Sequence, residues 1–294
     1  MNKHRSGFVN IIGNPNVGKS TLMNALVGER LSIITSKAQT TRHRIMGIVN
    51  GDDFQIIYSD TPGILKPNYK LQESMMRFVT GAVSDADILV YVTDTVEKSD
   101  RSQEIIEKIA KSDTPTILVI NKIDLTTPEQ LNILVAQWQE RLPAAFIVPA
   151  SAKESFNIGG LFDQILERLP EGEPYYPKDT LTDKTLRFFA TEIIREKILT
   201  NYDKEIPYCC EVSIEEYKEE PTIDRISATI YVARDSQKGI LIGHKGEKLK
   251  RVGTQARLDM EQFLDKKVFL QLHVKVMDDW RNSDRQLKRF GYDE

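Results

Sequence analysis

Short apolar runs alternate with amphipathic stretches through the first part of the chain. The runs span residues 8–12, 54–58, 88–93, 116–120 and 146–148. Strands that alternate with helical patterns predict a mostly parallel α/β sheet. One exception is the run 45–49, which a four-residue segment containing Asn50-Gly51 separates from the run 54–58. Because Asn-Gly favours a tight hairpin, we expect one antiparallel strand at the edge of this sheet.

The pattern changes after Pro170, where the last predicted helix of the first domain (residues 158–169) ends. Three prolines in residues 170–177 predict a stiff linker. We therefore expect an α/β domain over 1–172, a linker over 173–183 and an α+β domain over 184–294. The predicted elements of the second domain are a helix (184–199), strands (209–215 and 225–233), a helix, a tight turn, a helix (247–264), a strand (268–276) and a short C-terminal helix.

The distribution of charge along the chain is more informative than the net charge. The net charge of the 294 residues is −3, but residues 234–257 hold seven basic and two acidic side chains. Such clustering indicates a nucleic-acid partner better than the whole-chain charge does. Residues 1–5 are too polar for a signal peptide, and no stretch is apolar enough to span a bilayer. With Cys209 and Cys210 as reduced thiols, we expect a cytoplasmic protein.

The strongest chemical motif follows the first predicted strand. Residues 13–20 match G-x-x-x-x-G-K-[ST] in full and lead directly into a helical pattern. The glycines let backbone N–H groups face phosphates, and the helix adds the positive end of its dipole. Lys19 is expected to reach the outer phosphates, and Ser20 is expected to bind Mg²⁺. The predicted phosphate-binding residues are Gly13, Asn14, Pro15, Asn16, Val17, Gly18, Lys19, Ser20 and Thr21.

Two motifs after later strands predict which base is bound. These motifs contribute Asn121, Lys122 and Asp124, and then Ser151, Ala152 and Lys153. The Asp124 carboxylate can accept hydrogen bonds from both N1–H and N2–H of guanine, a donor pair that adenine lacks. The Ala152 N–H is the expected second contact, to guanine O6. The sequence therefore predicts GTP and GDP as ligands.

A third motif, Asp60-Thr61-Pro62-Gly63, ends the strand that pairs beside the P-loop strand. We expect Asp60 to lie in the outer coordination shell of Mg²⁺ and the Gly63 N–H to contact the γ-phosphate. A threonine of the preceding segment 39–43 can close over Mg²⁺. We favour Thr41, although its neighbour Thr40 stays open. Lys19, Thr41 and Gly63 are thus the predicted catalytic residues.

These five elements, in this order, resemble the GTPases of the translation-factor class. Ras-like members carry a glutamine just after the third motif, whereas this chain has Ile64, which cannot hydrogen-bond a water. Catalysis is then expected from positioning, Mg²⁺ and a further cation. In relatives that lack the glutamine, an asparagine at the position of Asn16 can hold K⁺. A role for Asn16 in stabilising the loop stays open.

The basic stretch contains the sequence Gly243-His244-Lys245-Gly246 after an apolar run. Together with the order of elements, it resembles a type II KH module, whose GxxG loop clamps single-stranded RNA through its backbone. The alternative is a helical corner with a solvated basic face. The role of His244, as an RNA contact or an exposed loop residue, also stays open. The predicted RNA-binding residues are Ile242, Gly243, His244, Lys245, Gly246, Lys248, Lys250 and Arg251.

The combination of both domains resembles the Era family of bacterial GTPases over essentially the full chain. Segments 39–44, 191–197 and 206–208 and the tail around Trp280 carry this resemblance. It implies a Mg²⁺-dependent GTPase switch that binds the 3′ end of 16S rRNA and acts in 30S subunit maturation. It also implies a cytoplasmic protein that can associate peripherally with the inner membrane. We expect a monomer and no DNA binding.

Two rival functions stay open. One is a passive RNA chaperone in which GTP only stabilises the fold. The other is a tRNA-modification GTPase of the same glutamine-lacking group, against which the GxxG module argues.

Overall fold

The structure is a computed structural model that describes residues 4–96 and 103–292. Its contacts divide the chain into two compact units. The first runs to Asp183 and the second begins at Lys184, except that Tyr69–Leu71 cluster with the second unit. Within the described residues, no helix combines the length and apolarity that crossing a membrane requires.

The first unit is built on a six-stranded sheet with the order β2-β3-β1-β4-β5-β6. Its strands are β1 (Arg5–Gly13), β2 (Ile45–Asn50), β3 (Phe54–Asp60), β4 (Ile88–Asp94), β5 (Thr116–Asn121) and β6 (Phe146–Pro149). Neighbouring strands pair in parallel except β2 and β3, which pair antiparallel across the Asn-Gly hairpin. The prediction of a mostly parallel sheet with one antiparallel edge strand is confirmed.

Four helices connect these strands: α1 (Lys19–Val27), α2 (Lys70–Ser84), α3 (Gln103–Ala110) and α4 (Pro128–Arg141). A fifth helix, α5 (Ile158–Arg168), follows β6. One apolar cluster joins α2, α3 and α4 to the sheet, with Ile12, Tyr91 and Leu118 among its strand residues. All residues of β4 are buried, as expected for a central parallel strand covered on both faces. This packing leaves the carboxyl ends of the strands to carry the polar motifs.

The segment expected to be a stiff linker packs against the first unit. Gln55 of β3 is fully buried, and its side-chain oxygen accepts hydrogen bonds from the Tyr175 and Tyr176 N–H groups at 2.7 and 2.9 Å. Its amide donates to the Tyr176 carbonyl at 2.8 Å. The Ser6 hydroxyl holds the Glu173 carbonyl at 2.6 Å. Because Gln55 and Ser6 hold backbone groups of Glu173, Tyr175 and Tyr176, we describe residues 171–183 as a strap rather than a spacer.

The end of the strap pairs with the free edge of β2. Thr182 forms an antiparallel bridge with Gly47, and the Ile48 N–H donates to the Leu181 carbonyl at 2.8 Å. The Thr182 hydroxyl donates to the Met46 carbonyl at 2.6 Å. An edge strand exposes unpaired backbone groups, and the strap covers those of β2.

The second unit contains a three-stranded sheet with the order β7-β8-β9, in which β8 and β9 are parallel. Its elements are α6 (Leu186–Asn201), α7 (Ile206–Cys209), β7 (Glu211–Glu219), β8 (Ile223–Val232), α8 (Asp235–Ile242), α9 (Glu247–Leu264), β9 (Lys267–Val276) and α10 (Asp284–Arg289). The predicted order and the bounds of α9 agree with the structure. The strand expected from Cys209 begins only at Glu211, because Pro207 opens the short helix α7. Cys209 and Cys210 are buried and carry reduced thiols.

Candidate nucleotide site and nucleic-acid interface

The P-loop lies between β1 and α1, and two of its glycines have no room for a side chain. A Cβ atom on Gly13 would lie 2.1 Å from the Val92 carbonyl oxygen. Gly18 caps α1 with a left-handed φ of 96°, and a Cβ there would lie 2.2 Å from Asn121 Nδ2. Lys19 is buried, and its ammonium donates to the carbonyls of Gly13 and Asn14 at 3.1 and 2.9 Å. The loop is therefore packed closely enough to hold its backbone in a fixed curl.

Three side chains converge beside the first turn of α1. The Ser20 hydroxyl donates to Asp60 Oδ2 at 2.6 Å, and the Thr41 hydroxyl donates to the same oxygen at 3.2 Å. Ser20 Oγ and Thr41 Oγ1 lie 2.9 Å apart. Asp60 is fully buried, and its Oδ1 has no hydrogen-bond partner among the described residues.

This donor set fits Mg²⁺. Hydroxyl and carboxylate oxygens are ligands that Mg²⁺ accepts in nucleotide sites, with phosphate oxygens and waters completing the shell. Burial raises the pKa of Asp60, and the hydrogen bond from Ser20 and the charge of Lys19 only partly oppose this effect. A bound cation would favour the carboxylate form and offset the desolvation.

Thr40 and Thr41, the two threonines that could close over Mg²⁺, differ in their hydrogen bonds. The Thr40 hydroxyl turns away and donates to the Lys37 carbonyl at 2.6 Å, beside Thr35 Oγ1 at 2.7 Å. Thr41 instead reaches Ser20 and Asp60. Of the two, Thr41 is the threonine whose hydroxyl lies beside Ser20 and Asp60.

The third motif lies against the P-loop. The Thr61 hydroxyl donates to the Ile11 carbonyl at 2.8 Å, which fixes the end of β3 beside β1. A Cβ atom on Gly63 would lie 2.8 Å from the Pro15 backbone, so only glycine allows this approach. The next residue, Ile64, is 3% exposed in the core on the α2 side. Its side chain cannot contact an attacking water.

The base motifs are joined by Asn121, which bridges two loops. Asn121 Nδ2 donates to the Val17 carbonyl at 2.8 Å, and Oδ1 accepts from the Ala152 N–H at 2.9 Å. The Ala152 N–H, the expected donor to guanine O6, already donates to Asn121 Oδ1. A guanine O6 at this position would therefore share the N–H with Asn121. The Ser151 hydroxyl donates to Asp124 Oδ1 at 2.6 Å and so orients the exposed carboxylate.

The two lysines of the base motifs differ in their surroundings. Lys122 has a left-handed φ of 59°, and its ammonium contacts Asp94 and the Asn16 carbonyl, each at 2.6 Å. Lys153 is 80% exposed and pairs with Glu154 at 3.0 Å. Lys122 therefore ties the base loop to the P-loop, whereas the Lys153 ammonium points to solvent.

A pocket of about 410 Å³ opens between the P-loop and the segment before Thr41. Residues that the motifs did not indicate line one side of it: Ile33, Ile34, Thr35, Ser36, Lys37 and Gln39. Their only signal in the sequence is their position between the P-loop and the Asp60 motif. The opposite side is lined by predicted phosphate-binding residues of the P-loop, and Lys122 is the one residue of the base motifs that lines the pocket.

The GxxG loop turns sharply between α8 and α9. Gly243 has a φ of 74°, and a Cβ there would lie 2.7 Å from Lys248 Cγ. Gly246 has a φ of 80°, but a Cβ there would meet open space. Lys245 between them is also left-handed, with a φ of 47°. Gly243 is therefore needed for packing, whereas the Gly246 backbone is open to an approaching ligand.

A groove of about 360 Å³ runs from this loop along α9 and β9. It is lined by Gly246, Leu249, Lys250, Gly253, Thr254, Arg257, Leu270 and Leu272. Of the predicted RNA-binding residues, only Gly246 and Lys250 line it. Lys248 instead lies over the Tyr202 ring, 5.9 Å from its centroid. The other six lining residues were not predicted. The helical spacing of those on α9 (Leu249, Gly253, Thr254 and Arg257) could have revealed this face, whereas the two leucines of β9 have no such signal.

These two sites define a P-loop GTPase domain followed by a KH domain, and comparison with known proteins supports both halves. Residues 8–122 match the family described as "50S ribosome-binding GTPase", and residues 205–281 match the KH domain family. The chain is 46% identical to GTPase Era of Staphylococcus haemolyticus over 100% of its own length and 99% of that protein. It is a GTPase and belongs to the Era family.

Two solved structures share the whole architecture, each with a TM-score of 0.95, 40% identity and coverage of 99% of this chain and 100% of theirs. One is Era in complex with MgGDPNP and nucleotides 1506–1542 of 16S ribosomal RNA. The other is an Aquifex aeolicus Era variant bound to GDP·AlF4⁻. The expected fold class and family are thereby confirmed.

Proposed function

We propose that this GTPase binds the single-stranded 3′ end of 16S rRNA through its KH domain and uses GTP hydrolysis to time a step in 30S subunit assembly. The observation that carries the proposal is the presence of a P-loop pocket and an open GxxG groove on one chain. A relative solved with both a GTP analogue and 16S rRNA matches this chain end to end, which supports the assignment.

At the nucleotide site, Ser20 and Thr41 would bind Mg²⁺ directly. Asp60 would contact the ion from its outer coordination shell. Mg²⁺ supplies positive charge to the phosphate oxygens when it is bound. Lys19 would exchange its two carbonyl partners for the outer phosphates. The Gly63 N–H, held close to Pro15, would donate to the γ-phosphate. Asp124, oriented by Ser151, would select guanine.

The water-orienting group is missing at Ile64, so a second cation is part of the proposal. Asn16 has a φ of 65° at the exposed tip of the P-loop, and Lys122 holds its carbonyl. This arrangement supports a side chain that is free to face the phosphates. We assign K⁺ as its ligand, with the role of neutralising charge that develops on the leaving group.

At the RNA site, the open Gly246 backbone would accept a phosphate, and Lys250 and Arg257 would neutralise phosphates along α9. Leu270 and Leu272 give the groove an apolar floor on which unstacked bases can lie. A groove with basic residues on the helix side and apolar residues on the strand side suits a single strand. Because this groove would bind a single strand and would read no duplex groove, DNA is not assigned as a ligand.

The proposal also includes a cellular location, which rests on the resemblance to the Era family. We assign the protein to the cytoplasm as a monomer, with peripheral association at the inner membrane as a secondary state. Fractionation of cells at low and high salt tests this part, since peripheral association should be released by salt.

Filter binding tests the proposed function directly. The protein is loaded with GDPNP or GDP and titrated with an oligonucleotide of the 16S rRNA 3′ end, with the reverse complement as the control. We expect binding about tenfold tighter in one nucleotide state, which corresponds to a coupling free energy of about 1.4 kcal/mol. Equal affinities in both states would favour a passive RNA chaperone. Absence of binding in both states would refute the RNA assignment.

A further inference from the structure

Arg44 follows Thr41 by three residues and directly precedes β2. Its side chain is 7% exposed. The guanidinium donates to Ser59 Oγ at 2.9 Å and to Asn10 Oδ1 at 3.1 Å. It also donates to both oxygens of Asp85, at 2.5 and 3.1 Å. A two-pronged contact with a carboxylate uses the planar fork of arginine, which lysine cannot reproduce.

The three partners belong to elements that lead to the nucleotide site. Asn10 lies on β1, the strand that enters the P-loop, and Ser59 directly precedes Asp60. Asp85 directly follows α2. The Asn10 amide also donates to Asp85 Oδ1 at 2.6 Å and to the Ala82 carbonyl at 2.7 Å, so the end of α2 is tied to the same point. We call Arg44, Asn10, Ser59 and Asp85 the Arg44 anchor.

The Arg44 anchor cannot act on the phosphates by direct contact. Ser59 and Asp60 are neighbours in a strand, so their side chains point to opposite faces of the sheet. Asp60 meets Ser20 on the face of α1, whereas Ser59 meets Arg44 on the face of α2. Arg44 can therefore affect the nucleotide only through the backbone, and the shortest such route runs along the switch segment, three residues back to Thr41.

Starting from the proposed role of Thr41 at Mg²⁺, we propose that Arg44 is a positioning residue that fixes the end of the switch segment and thereby holds Thr41 at the ion. Thr41, Arg42 and Arg44 are all buried, so the backbone between them has little freedom. Release of Arg44 would leave every group that faces the nucleotide present but would loosen the placement of the Thr41 hydroxyl. A displacement of about 1 Å can cost two orders of magnitude in rate.

A double-mutant cycle on the full-length protein tests this proposal. GTP hydrolysis is measured against Mg²⁺ concentration for the wild type, Thr41→Ala, Arg44→Gln and the double variant. Affinity for a fluorescent GDP is measured in parallel. We expect Arg44→Gln to lower kcat about tenfold or more and to raise the Mg²⁺ concentration for half-maximal rate, with GDP affinity within about twofold of wild type. The double variant should be no worse than Thr41→Ala alone, because both changes remove the same interaction.

A second variant covers the case in which Arg44→Gln does not fold. Asp85→Asn keeps the size of the side chain and leaves Ser59 and Asn10 to hold Arg44. Its Mg²⁺ requirement should rise above that of the wild type, and by less than that of Arg44→Gln where that variant folds. Arg195→Gln is the matched control, since it breaks a buried ion pair with Glu192 in the second unit, at 2.8 Å and with side chains 2% and 4% exposed. It should lower stability without changing the Mg²⁺ requirement.

The outcomes distinguish a failure of the proposed role of Thr41 from a failure of the proposed role of Arg44. If Thr41→Ala hydrolyses GTP with the wild-type Mg²⁺ dependence, the proposed role of Thr41 fails. If Thr41→Ala is impaired but Asp85→Asn and Arg44→Gln keep the wild-type Mg²⁺ dependence, the positioning role is overturned and the proposed function stands. Additive losses in the double variant also overturn it, since they would show that Arg44 acts independently of Thr41.

Discussion

Gln55 holds both backbone groups of Tyr176, accepting from its N–H at 2.9 Å and donating to its carbonyl at 2.8 Å. The buried side-chain amide thus replaces a neighbouring strand for a residue that lies 121 positions away in the sequence. This contact converts the Pro-rich segment into the strap along the first unit.

Gln55→Ala should therefore release the strap. The change removes three hydrogen bonds between the buried Gln55 side chain and the backbone of Tyr175 and Tyr176, and each such bond contributes about 0.5–1.5 kcal/mol. We expect the free energy of unfolding to fall by about 2–3 kcal/mol in urea titrations and cleavage within residues 171–183 to accelerate in limited proteolysis. Gln137→Ala, at an exposed position of α4, is the matched control. Unchanged proteolysis of the strap in Gln55→Ala would contradict this role.

Base selection should depend on Asp124. Asp124→Asn can still accept the Ser151 hydrogen bond, but its amide presents a donor where guanine needs a second acceptor. GTP affinity should fall by about two orders of magnitude, or about 3 kcal/mol, and xanthosine triphosphate should bind instead. Titration calorimetry with both nucleotides measures the switch, and the exposed Asp163→Asn on α5 controls for the loss of charge. Retained GTP preference would remove Asp124 from the base site.

Hydrolysis should be faster in KCl than in NaCl at equal ionic strength and Mg²⁺ concentration. The reason is that Ile64 is buried where a water-orienting side chain is needed, while Asn16 is exposed at the P-loop. Asn16→Ala should bring the two rates together, whereas Asn132→Ala on the exposed face of α4 should keep the difference. Equal rates for the wild type in both salts would leave Asn16 with a structural role only.

The KH groove should lose RNA when its open glycine is filled. Gly246→Asp places a carboxylate where a phosphate must approach, so binding to the 3′-end oligonucleotide should be lost while GTP binding is retained. Gly246→Ala, which has the same strain at a φ of 80° but no charge, controls for the backbone, and Gly159→Asp, at an exposed position in the first turn of α5 where a Cβ meets no neighbour, controls for the added charge.

Lys245→Ala should be milder than Gly246→Asp. It should weaken binding to all sequences and reduce the salt dependence by about one phosphate contact, or a slope change of about 0.7 for a single strand. If Gly246→Asp binds the oligonucleotide as tightly as the wild type, the basic face of α9 is merely solvated.

The elements that the sequence predicted well are those with local signals. Buried parallel strands are continuous apolar runs, and the bounds of α9 follow from Gly246 at its start and the left-handed Asp265 at its end. The P-loop was readable because its glycines and Lys19 act through the local backbone. The side chains that meet at Asp60 were predicted from motif order, but only the packing of residues 35–41 shows which threonine reaches it.

The features that were missed depend on partners far apart in the sequence. No local pattern links Gln55 to Tyr176 or Arg44 to Asp85, because folding brings these polar residues together from distant parts of the sequence. The Ala152 N–H looked available for guanine, since nothing in the sequence shows that Asn121 accepts from it. The apolar floor of the KH groove was hidden because Leu270 and Leu272 look like ordinary core positions of β9.

One measurement tests the central claim that nucleotide and RNA sites are coupled: the GTP turnover rate with and without saturating 16S rRNA 3′-end oligonucleotide. A switch requires that RNA binding changes the nucleotide reaction. We predict that the oligonucleotide raises turnover in the wild type, and that Gly246→Asp keeps the basal rate but loses the stimulation. A wild-type rate that is the same with and without bound RNA would contradict the account.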